Sequence, residues 1–244
     1  MNKLLVIGDI HGREFWKKPC EKLVNEVDKV IFLGDYIDPY PWEFITRKQA
    51  IQILRDVIEF KQKNMDKVIL LLGNHDCCYV DKNFITRSRY DSSNAWTINE
   101  IFKSHRSLFQ LAYEEEINNK KYLFTHAGLM PLWYEQHKDI IGELTVENLN
   151  HLLYFGNGIE ALCDVSIARG GYSPCGSIVW SDVNERRHIN GDVEQWDYQV
   201  FGHTQQEKYP IITKTYACLD CRQAFILHED GLLEDIQNEK EAEK

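Results

Sequence analysis

The sequence lacks any apolar run long enough to cross a bilayer, which takes about 20 residues in a helix. Its apolar start, residues 1–10, has only the length of a strand and leads directly into Asp9 and His11. A signal peptide removed there would discard two candidate metal ligands. We therefore expect an intracellular, cytoplasmic protein that makes no contact with a membrane.

Positive charge is also scarce, because 28 basic side chains stand against 38 acidic ones and the net charge is −10. A protein that binds nucleic acid by neutralising phosphates needs the opposite balance. We expect no stable nucleic-acid binding, although bound divalent cations would reverse the potential locally.

A disulfide framework and internal subdivision are missing as well. The seven cysteines are odd in number and lack the spacing of a disulfide framework, which suits a reducing compartment. No repeat, linker or low-complexity tract divides the 244 residues. The sequence therefore predicts one domain over residues 1–237 and a charged C-terminal tail over residues 238–244.

What the chain does contain is a series of short polar blocks, each at or just beyond the end of an apolar run. Carboxylates, imidazoles and one amide recur in them, a set that suits divalent transition metals. Glycine precedes or follows the polar residues, which is typical of chemistry presented from the carboxyl ends of strands in an α/β sheet. The blocks are Gly8–Gly12, Gly34–Asp38, Gly73–Asp76, Thr125–Gly128 and Gly202–Thr204.

The first half of the chain alternates strand and helix patterns. Buried strands are predicted at Lys3–Gly8, Lys29–Leu33 and Lys67–Leu72, with helices at Glu14–Val27 and Trp42–Gln62 between them. This alternation indicates right-handed βαβ units and a largely parallel sheet. The fold class is therefore α/β.

In the second half the pattern changes. We predict a helix over Asp91–Ala112, a hairpin turning at Asn118 and Asn119, a helix over Thr145–Phe155 that ends at Gly156, and a long loop over residues 156–175. Strands are predicted after that loop. They are Ser177–Trp180, Gln199–Phe201, Thr215–Leu219, Ala224–His228 and Leu232–Ile236.

The blocks together can bind two metal ions. Asp9 and His11 are alternate residues at an extended strand end and can bind one ion, which Asp35 can bridge to a second. Two ions about 3.5–4 Å apart would hold a phosphate and turn a bridging water into a nucleophile. Manganese is expected, and iron, zinc, cobalt or nickel suit the same ligands. The side chains that can complete the second site are Asn74, His126 and His203.

His75 stands beside Asn74 and, in an extended loop, should point differently from it. It is then free to protonate a leaving oxygen as a general acid. Asp38, three residues after Asp35, is the carboxylate expected to orient that imidazole.

These ordered blocks resemble the calcineurin-like metallophosphoesterase superfamily, whose pattern is GDxHG, GDxxD, GNH(D/E), a later His, and GH. The resemblance extends from Asp9 to His203. It implies a four-layer α-β-β-α fold with a β-sandwich, and metals at the strand ends. It also implies that Asp35 is shared by both metals. The implied ligands are Asp9, His11 and Asp35 for one metal, and Asp35, Asn74, His126 and His203 for the other.

Two details resemble the branch of phosphoprotein phosphatases and diadenosine tetraphosphatases. Gln205 stands where many phosphodiesterases and nucleases have the second histidine of a GHxH block. Residues Ser177–Asp182 are similar to the LWSDP-type segment of those phosphatases.

Two further features depart from that branch. Pro39 and Tyr40 stand where it continues with Arg-Gly, and Asp76 stands where protein phosphatases have glutamate. The phosphate-binding arginine must then come from elsewhere, because lysine does not reproduce bidentate guanidinium geometry. Arg169 and Arg186 are the first candidates, followed by Arg13, Arg187 and Arg222.

The leading hypothesis is a serine/threonine-phosphatase-like enzyme. It hydrolyses phosphomonoesters by attack of a metal-bridging hydroxide, on a phosphorylated protein, nucleotide or small molecule. The alternative is a dinucleoside polyphosphate hydrolase or phosphodiesterase, favoured by the missing arginine and by a nearby aromatic cluster, Tyr36, Tyr40 and Trp42, that could stack a base. A non-catalytic scaffold that keeps this fold is a third hypothesis.

Overall fold

The computed structural model describes residues 3–84, 88–188 and 191–236. The predicted tail, residues 238–244, lies outside the described residues. The strands are β1 Leu4–Ile7, β2 Lys29–Phe32, β3 Val68–Leu71, β4 Phe109–Gln110, β5 Ala112–Ile117, β6 Lys120–Thr125, β7 Tyr198–Phe201, β8 Ile211–Ile212, β9 Tyr216–Cys218, β10 Ala224–Leu227 and β11 Leu233–Asp235. The α-helices are α1 Lys17–Leu23, α2 Arg47–Lys63, α3 Asn74–Val80, α4 Ala95–Ser104, α5 Pro131–Ile141, α6 Val146–His151 and α7 Gly156–Leu162.

The strands form two mixed sheets. The first has the order β11-β10-β1-β2-β3-β4, and the second has the order β5-β6-β7-β9-β8. Strands β1 to β4 run parallel, as the alternating strand and helix patterns predict. In the second sheet β6, β7 and β9 are parallel. The carboxyl ends of β1, β2 and β3 therefore lie at one edge of the first sheet, where the first three polar blocks begin.

The first sheet is buried on both faces, which explains its continuous apolar strands. Leu4 and Val6 of β1 share a core cluster with Phe124 of β6, so they pack between the sheets. Leu5 and Ile7 belong to a second cluster that contains apolar side chains of the helices. Helix α2 contacts β3, and α6 contacts β5 of the other sheet. Helices thus flank a two-sheet sandwich, in the predicted α-β-β-α order.

The hairpin is confirmed, because β5 and β6 pair in antiparallel register from Ala112 and Thr125 to Ile117 and Lys120. Asn118 and Asn119 both have positive φ, 51° and 61°, as a two-residue type I′ turn requires. Asparagine tolerates this conformation better than most side chains.

The helix predicted over Asp91–Ala112 is wrong at both ends. Helix α4 covers only Ala95–Ser104, and Phe109 pairs with Leu70 in the first sheet. The side-chain oxygen of Asn150 accepts the backbone N–H groups of Leu111 and Ala112. Long-range pairing thus prevails over the helical spacing of the apolar residues.

The region after α5 differs from prediction in three ways. Helix α6 ends at His151, and Gly156 begins α7 instead of terminating a helix, so much of the predicted loop is helical. Gly158 allows close packing, since a Cβ there would lie 2.4 Å from the carbonyl oxygen of Leu152. Residues 177–180 form a turn closed onto the Ser177 carbonyl, so the strand predicted there is wrong.

No helix in the described part of the chain combines the length and apolarity that crossing a membrane requires.

Candidate active site

The site residues lie directly beyond the strands, most of them on tight loops and two, Asn74 and His75, at the start of α3. His11, Asp35, Asp38 and His203 all have positive φ, from 45° to 63°. This corrects the extended conformation predicted around His11. Such backbone strain in non-glycine residues persists only where the surroundings enforce it, and it occurs often at functional sites. Here the His11 N–H donates to the carbonyl of Asp35 at 2.6 Å, which ties the first two loops together.

The first group of candidate ligands consists of Asp9, His11 and Asp35, all buried. The Nδ1 atom of His11 lies 2.9 Å from the carbonyl oxygen of Ile37. A carbonyl only accepts, so Nδ1 carries the proton. The lone pair on Nε2 then faces Asp35 Oδ2 at 3.5 Å, an acceptor facing an acceptor.

The second group shares Asp35 and adds His126 and His203. His126 Nδ1 lies 2.8 Å from the carbonyl of Leu33 and by the same reasoning donates to it. Its Nε2 lone pair then faces Asn74 Oδ1 and His203 Nδ1, each at 3.1 Å, and Asp35 Oδ2 at 3.5 Å.

The protonation of these rings indicates that a cation belongs between them. His203 Nε2 is buried without a hydrogen-bond partner among the described residues. A proton on His203 Nδ1 leaves Nε2 as an unmatched acceptor, and a proton on Nε2 leaves two lone pairs facing each other. A metal ion would be bound by the convergent lone pairs. The donors thus fit divalent transition metals shared through Asp35.

Burial and neighbouring charges shift the pKa values of the candidate ligands. Burial, together with the neighbouring Asp35, raises the pKa of Asp9 well above its usual value. Burial alone would also raise the pKa of Asp35, but the surrounding imidazoles hold it at about 2. Burial lowers the pKa of His11 and of His203 well below the ordinary range, so both imidazoles are neutral and can bind metal at neutral pH.

His75 lies beside these groups with a carboxylate behind it. It is the second residue of α3, which corrects the extended loop predicted for it. Its backbone N–H donates to Asp35 Oδ1 at 3.0 Å, and its Nδ1 lies 2.9 Å from Asp38 Oδ2. The other Asp38 oxygen accepts from the Tyr79 hydroxyl at 2.7 Å. The imidazole is therefore oriented with Nε2 on the side away from Asp38.

Asp76 holds together the loops that follow β2 and β3. Its carboxylate accepts the backbone N–H groups of Asp35 at 2.7 Å, Gly73 at 2.9 Å and Tyr36 at 3.0 Å. The group is fully buried, and burial with nearby Asp35 raises its pKa well above the usual value. Asp76 thus connects the start of α3 to the loop that carries Asp35.

A cavity of about 380 Å³ opens over the predicted ligands. Its walls combine four of those ligands, His75, and cationic and aromatic side chains. The lining residues are His11, Asp35, Tyr40, Asn74, His75, Ser88, Arg89, Arg169, Trp180 and His203.

The structure separates the two leading arginine candidates. Arg169 lines the cavity, with its Nε 2.6 Å from Asp182 and its NH2 2.8 Å from Thr204 Oγ1. Arg186 is instead turned inward to the carbonyls of Gly191 and Leu129, and burial lowers its pKa to about 10. This placement does not support a phosphate contact for Arg186.

The remaining candidates have other surroundings. Arg13 and Arg222 both pair with Glu43, outside the cavity wall. The Arg187 side chain lies outside the described part of the chain.

Sequence reasoning missed Arg89, which lines the cavity. Its NH2 lies 2.9 Å from His75 Nε2, and its Cζ lies 3.7 Å from the ring centroid of Tyr40. Arg89 follows no glycine block and no apolar strand, so only the folded chain reveals it.

The three residues of the aromatic cluster lie in different surroundings. Tyr36 is fully buried, and its hydroxyl donates to the carbonyl of Leu71, so it belongs to the core. Tyr40 lines the cavity, and Trp42 lies against it with ring centroids 4.8 Å apart. The Trp42 side chain is 62% exposed.

Comparison of the sequence with known proteins identifies a family. The family model for calcineurin-like phosphoesterases matches residues 2–207. A Caenorhabditis elegans protein named as a serine/threonine-protein phosphatase is 29% identical over 130 residues, which are 52% of this chain and 32% of that protein. The chain therefore spans about a third of the length of this curated relative.

Solved structures agree on the fold. A cold-active protein-tyrosine phosphatase from a psychrophilic Shewanella superposes with a TM-score of 0.61 at 16% identity, covering 97% of this chain and 81% of that one. A protein serine/threonine phosphatase from Saccharomyces cerevisiae gives a TM-score of 0.52 at 15% identity, covering 93% and 72%. Identities this low carry information about the fold alone.

Proposed function

The chain belongs to the calcineurin-like phosphoesterase family, and from this we propose that it is a metal-dependent hydrolase that cleaves phosphomonoesters at a binuclear centre. The observation that carries the proposal is the pair of ligand groups sharing Asp35, with the His75–Asp38 pair beside them. A scaffold without activity would have no need of this arrangement, which leaves buried lone pairs facing one another.

The ligands divide between the two ions. Asp9, His11 and Asp35 would hold one, and Asp35, Asn74, His126 and His203 the other. When bound, such ions polarise the phosphate and activate water for attack. Manganese is the metal we propose, and the same donors suit iron, zinc, cobalt or nickel.

His75 supplies the proton that the leaving group needs. As the phosphorus–oxygen ester bond breaks, His75 Nε2 donates a proton to the departing oxygen. Asp38 keeps Nδ1 protonated through the 2.9 Å contact and stabilises the charged ring. Asp38 is itself held by Tyr79, so the imidazole keeps one orientation through the reaction.

The substrate carries a terminal phosphate. Cationic side chains line the cavity wall, and a doubly charged terminal phosphate matches their charge better than a diester does. The name of the Caenorhabditis elegans relative suggests phosphoserine and phosphothreonine as the ester to test first. A cytoplasmic phosphorylated protein is accordingly the proposed partner.

A dinucleoside polyphosphate hydrolase is the second candidate. The observation that favours it is the Tyr40–Trp42 pair at the cavity, because exposed aromatic rings stack bases.

The deciding experiment is a substrate panel on protein stripped of metal and reloaded with manganese. We expect hydrolysis of phosphopeptides and simple monoesters at a kcat/KM at least about tenfold above that of matched diesters or dinucleoside polyphosphates. Protein kept metal-free with a chelator is the control and should be inactive. A preference for dinucleoside polyphosphates would select the second candidate. If no ester is hydrolysed after reloading with manganese, iron, zinc, cobalt or nickel, the non-catalytic scaffold is the remaining hypothesis.

A further inference from the structure

Arg89 lies where a phosphate-binding group is needed, and its surroundings are unusual for a structural arginine. Its NH1 donates to the carbonyl oxygen of Asp38 at 2.7 Å, and its NH2 reaches His75 Nε2 at 2.9 Å. Its Cζ lies 3.7 Å from the ring centroid of Tyr40. All of these partners are neutral groups or a ring face.

No carboxylate among the described residues forms an ion pair with Arg89. Among the ion pairs of the described residues, Arg169 is joined to Asp182 and Arg13 to Glu43, whereas none includes Arg89. A guanidinium in a cavity wall without a carboxylate partner attracts an anionic ligand more strongly than a paired one does. The phosphate of the substrate is the anion that this cavity would receive.

The contact with His75 shows that the guanidinium must change partners during the reaction. His75 Nδ1 donates to Asp38, so its Nε2 presents a lone pair to the donor on Arg89. In this arrangement Nε2 has no proton to give, and the guanidinium occupies the position that the leaving oxygen must take. Proton donation therefore requires Arg89 to leave the imidazole and Nε2 to take up a proton from solvent in the cavity.

We propose that Arg89 binds the phosphate of the substrate, moving from His75 to the phosphate oxygens as the substrate enters. This rests on the proposed function and assigns one residue of that site. A phosphate oxygen offers the guanidinium a charged acceptor in place of a neutral nitrogen, which is the stronger hydrogen bond. The exchange fixes the phosphate and exposes His75 Nε2 in a single movement of a side chain.

The position of Arg89 also explains how the chain functions without a guanidinium directly after Asp38. Pro39 stands there, and its ring can make no such contact. Through the hydrogen bond to the Asp38 carbonyl, Arg89 brings a guanidinium from a different loop to the same side of the cavity. Arg169 lies in the wall of the same cavity, so two guanidinium groups can hold one phosphate.

The test compares Arg89→Ala and Arg89→Lys with Arg55→Ala in manganese-loaded protein. Arg55 is an exposed residue of α2 and controls for the loss of one positive charge. Two quantities are measured, the KM and kcat for a phosphomonoester, and the dissociation constant for inorganic phosphate by titration calorimetry. Metal content and Tm verify that each variant is folded and loaded.

We expect Arg89→Ala to weaken inorganic phosphate binding and to raise KM, each by about 10–100-fold, the value of charge-assisted hydrogen bonds to one anion. Arg89→Lys should recover only part of the loss, because an ammonium cannot form the bidentate contact. Arg55→Ala should match the wild type.

A loss of kcat without a loss of phosphate affinity would overturn the proposal. If Arg89→Ala lowers kcat while KM and phosphate affinity stay at wild-type values, Arg89 only positions His75. The calorimetric arm does not depend on turnover. Wild-type protein that hydrolyses no ester would refute the proposed function, whereas unchanged phosphate affinity in Arg89→Ala would refute the role of Arg89 alone.

Discussion

The backbone N–H and Nδ1 of His75 both have carboxylate partners, whereas its Nε2 has one exchangeable partner, Arg89. Its backbone N–H and Nδ1 are bound to the carboxylates of Asp35 and Asp38, and its Nε2 faces the cavity. A residue that only supported the fold would not need a nitrogen with an exchangeable partner beside the candidate metal ligands. This arrangement is what general acid catalysis requires.

Replacing His75 with Asn should therefore lower kcat by about 10²–10⁴-fold, because the leaving oxygen loses its proton donor. Steady-state kinetics on manganese-loaded protein measures this. His151→Asn is the matched control, since His151 is an exposed histidine of α6 outside the cavity.

The metal content of His75→Asn should equal that of the wild type, because His75 belongs to neither ligand group. Turnover within twofold of the wild type would contradict the assignment. Loss of metal would mean that the variant damages the centre and says nothing specific about proton transfer.

At the scale of structural elements, the Asp76 carboxylate joins the loops that follow β2 and β3. Three backbone N–H groups, from two different loops, end on this single carboxylate. Because the three donors are buried, each would be costly to leave without an acceptor. The geometry around Asp35 and the start of α3 therefore depends on a residue that is not itself a candidate ligand.

Asp76→Ala should lower the free energy of unfolding by about 3 kcal/mol, because it leaves several buried donors unsatisfied. Chemical denaturation of metal-free protein measures this without a contribution from bound ions. Asp81→Ala, at the C-terminal end of the same helix, should stay within about 0.5 kcal/mol of the wild type.

Asp76→Glu addresses the departure from the protein-phosphatase pattern, which has glutamate at this position. It keeps the carboxylate but adds a methylene to a fully buried site, so we expect it to be less destabilising than alanine. Equal stability of the alanine variant and the wild type would show that the three hydrogen bonds contribute little.

At the scale of the molecule, the centre joins the two sheets. The His203 N–H, just beyond β7, donates to both oxygens of Asp9, just beyond β1, at 3.1 Å. Only glycine fits at the adjacent position, because a Cβ on Gly202 would lie 2.1 Å from Asp9 Oδ1. Candidate ligands from both sheets thus meet at one edge of the sandwich, and ions bound there would stabilise the folded chain.

We expect manganese at about 100 times its dissociation constant to stabilise the folded protein by about 2.7 kcal/mol for one site. For a chain of this size the corresponding increase in Tm is about 5–11 °C. Differential scanning calorimetry with and without manganese measures the increase, and excess chelator should reverse it. An unchanged Tm would contradict a manganese site formed in the folded state.

The stabilisation by metal should also decrease as pH falls. Burial and Asp35 raise the folded-state pKa of Asp9, so Asp9 takes up a proton well above the usual pH for a carboxyl group, and metal must displace that proton. In metal-free protein, the raised pKa of Asp9 stabilises the folded state fully at acidic pH. This contribution to folding stability is lost as pH rises through the folded-state pKa of Asp9. The difference in Tm between the two forms should therefore narrow from about pH 8 to about pH 5. A constant difference would contradict this coupling.

The sequence alone determined which residues are candidates for the chemistry. The order of the five blocks identified the candidate ligands, His75 and Asp38, because each follows an apolar strand and the carboxyl ends of neighbouring strands meet at one sheet edge. The first three strands and the hairpin at Asn118 and Asn119 were also predicted, since local periodicity and turn chemistry specify them. These features depend on contacts that are close in the chain or repeated along it.

Only the tertiary structure decided what depends on distant contacts. The strand at Phe109 forms in place of a helix because Leu70 is there to pair with it. The left-handed backbone at His11 is held by a hydrogen bond from another loop. Arg186 turns inward and Arg89 enters the cavity, although nothing near either residue in sequence distinguishes them. A side chain's role follows from which partners the fold brings to it, and sequence spacing does not record partners that lie far apart in the chain.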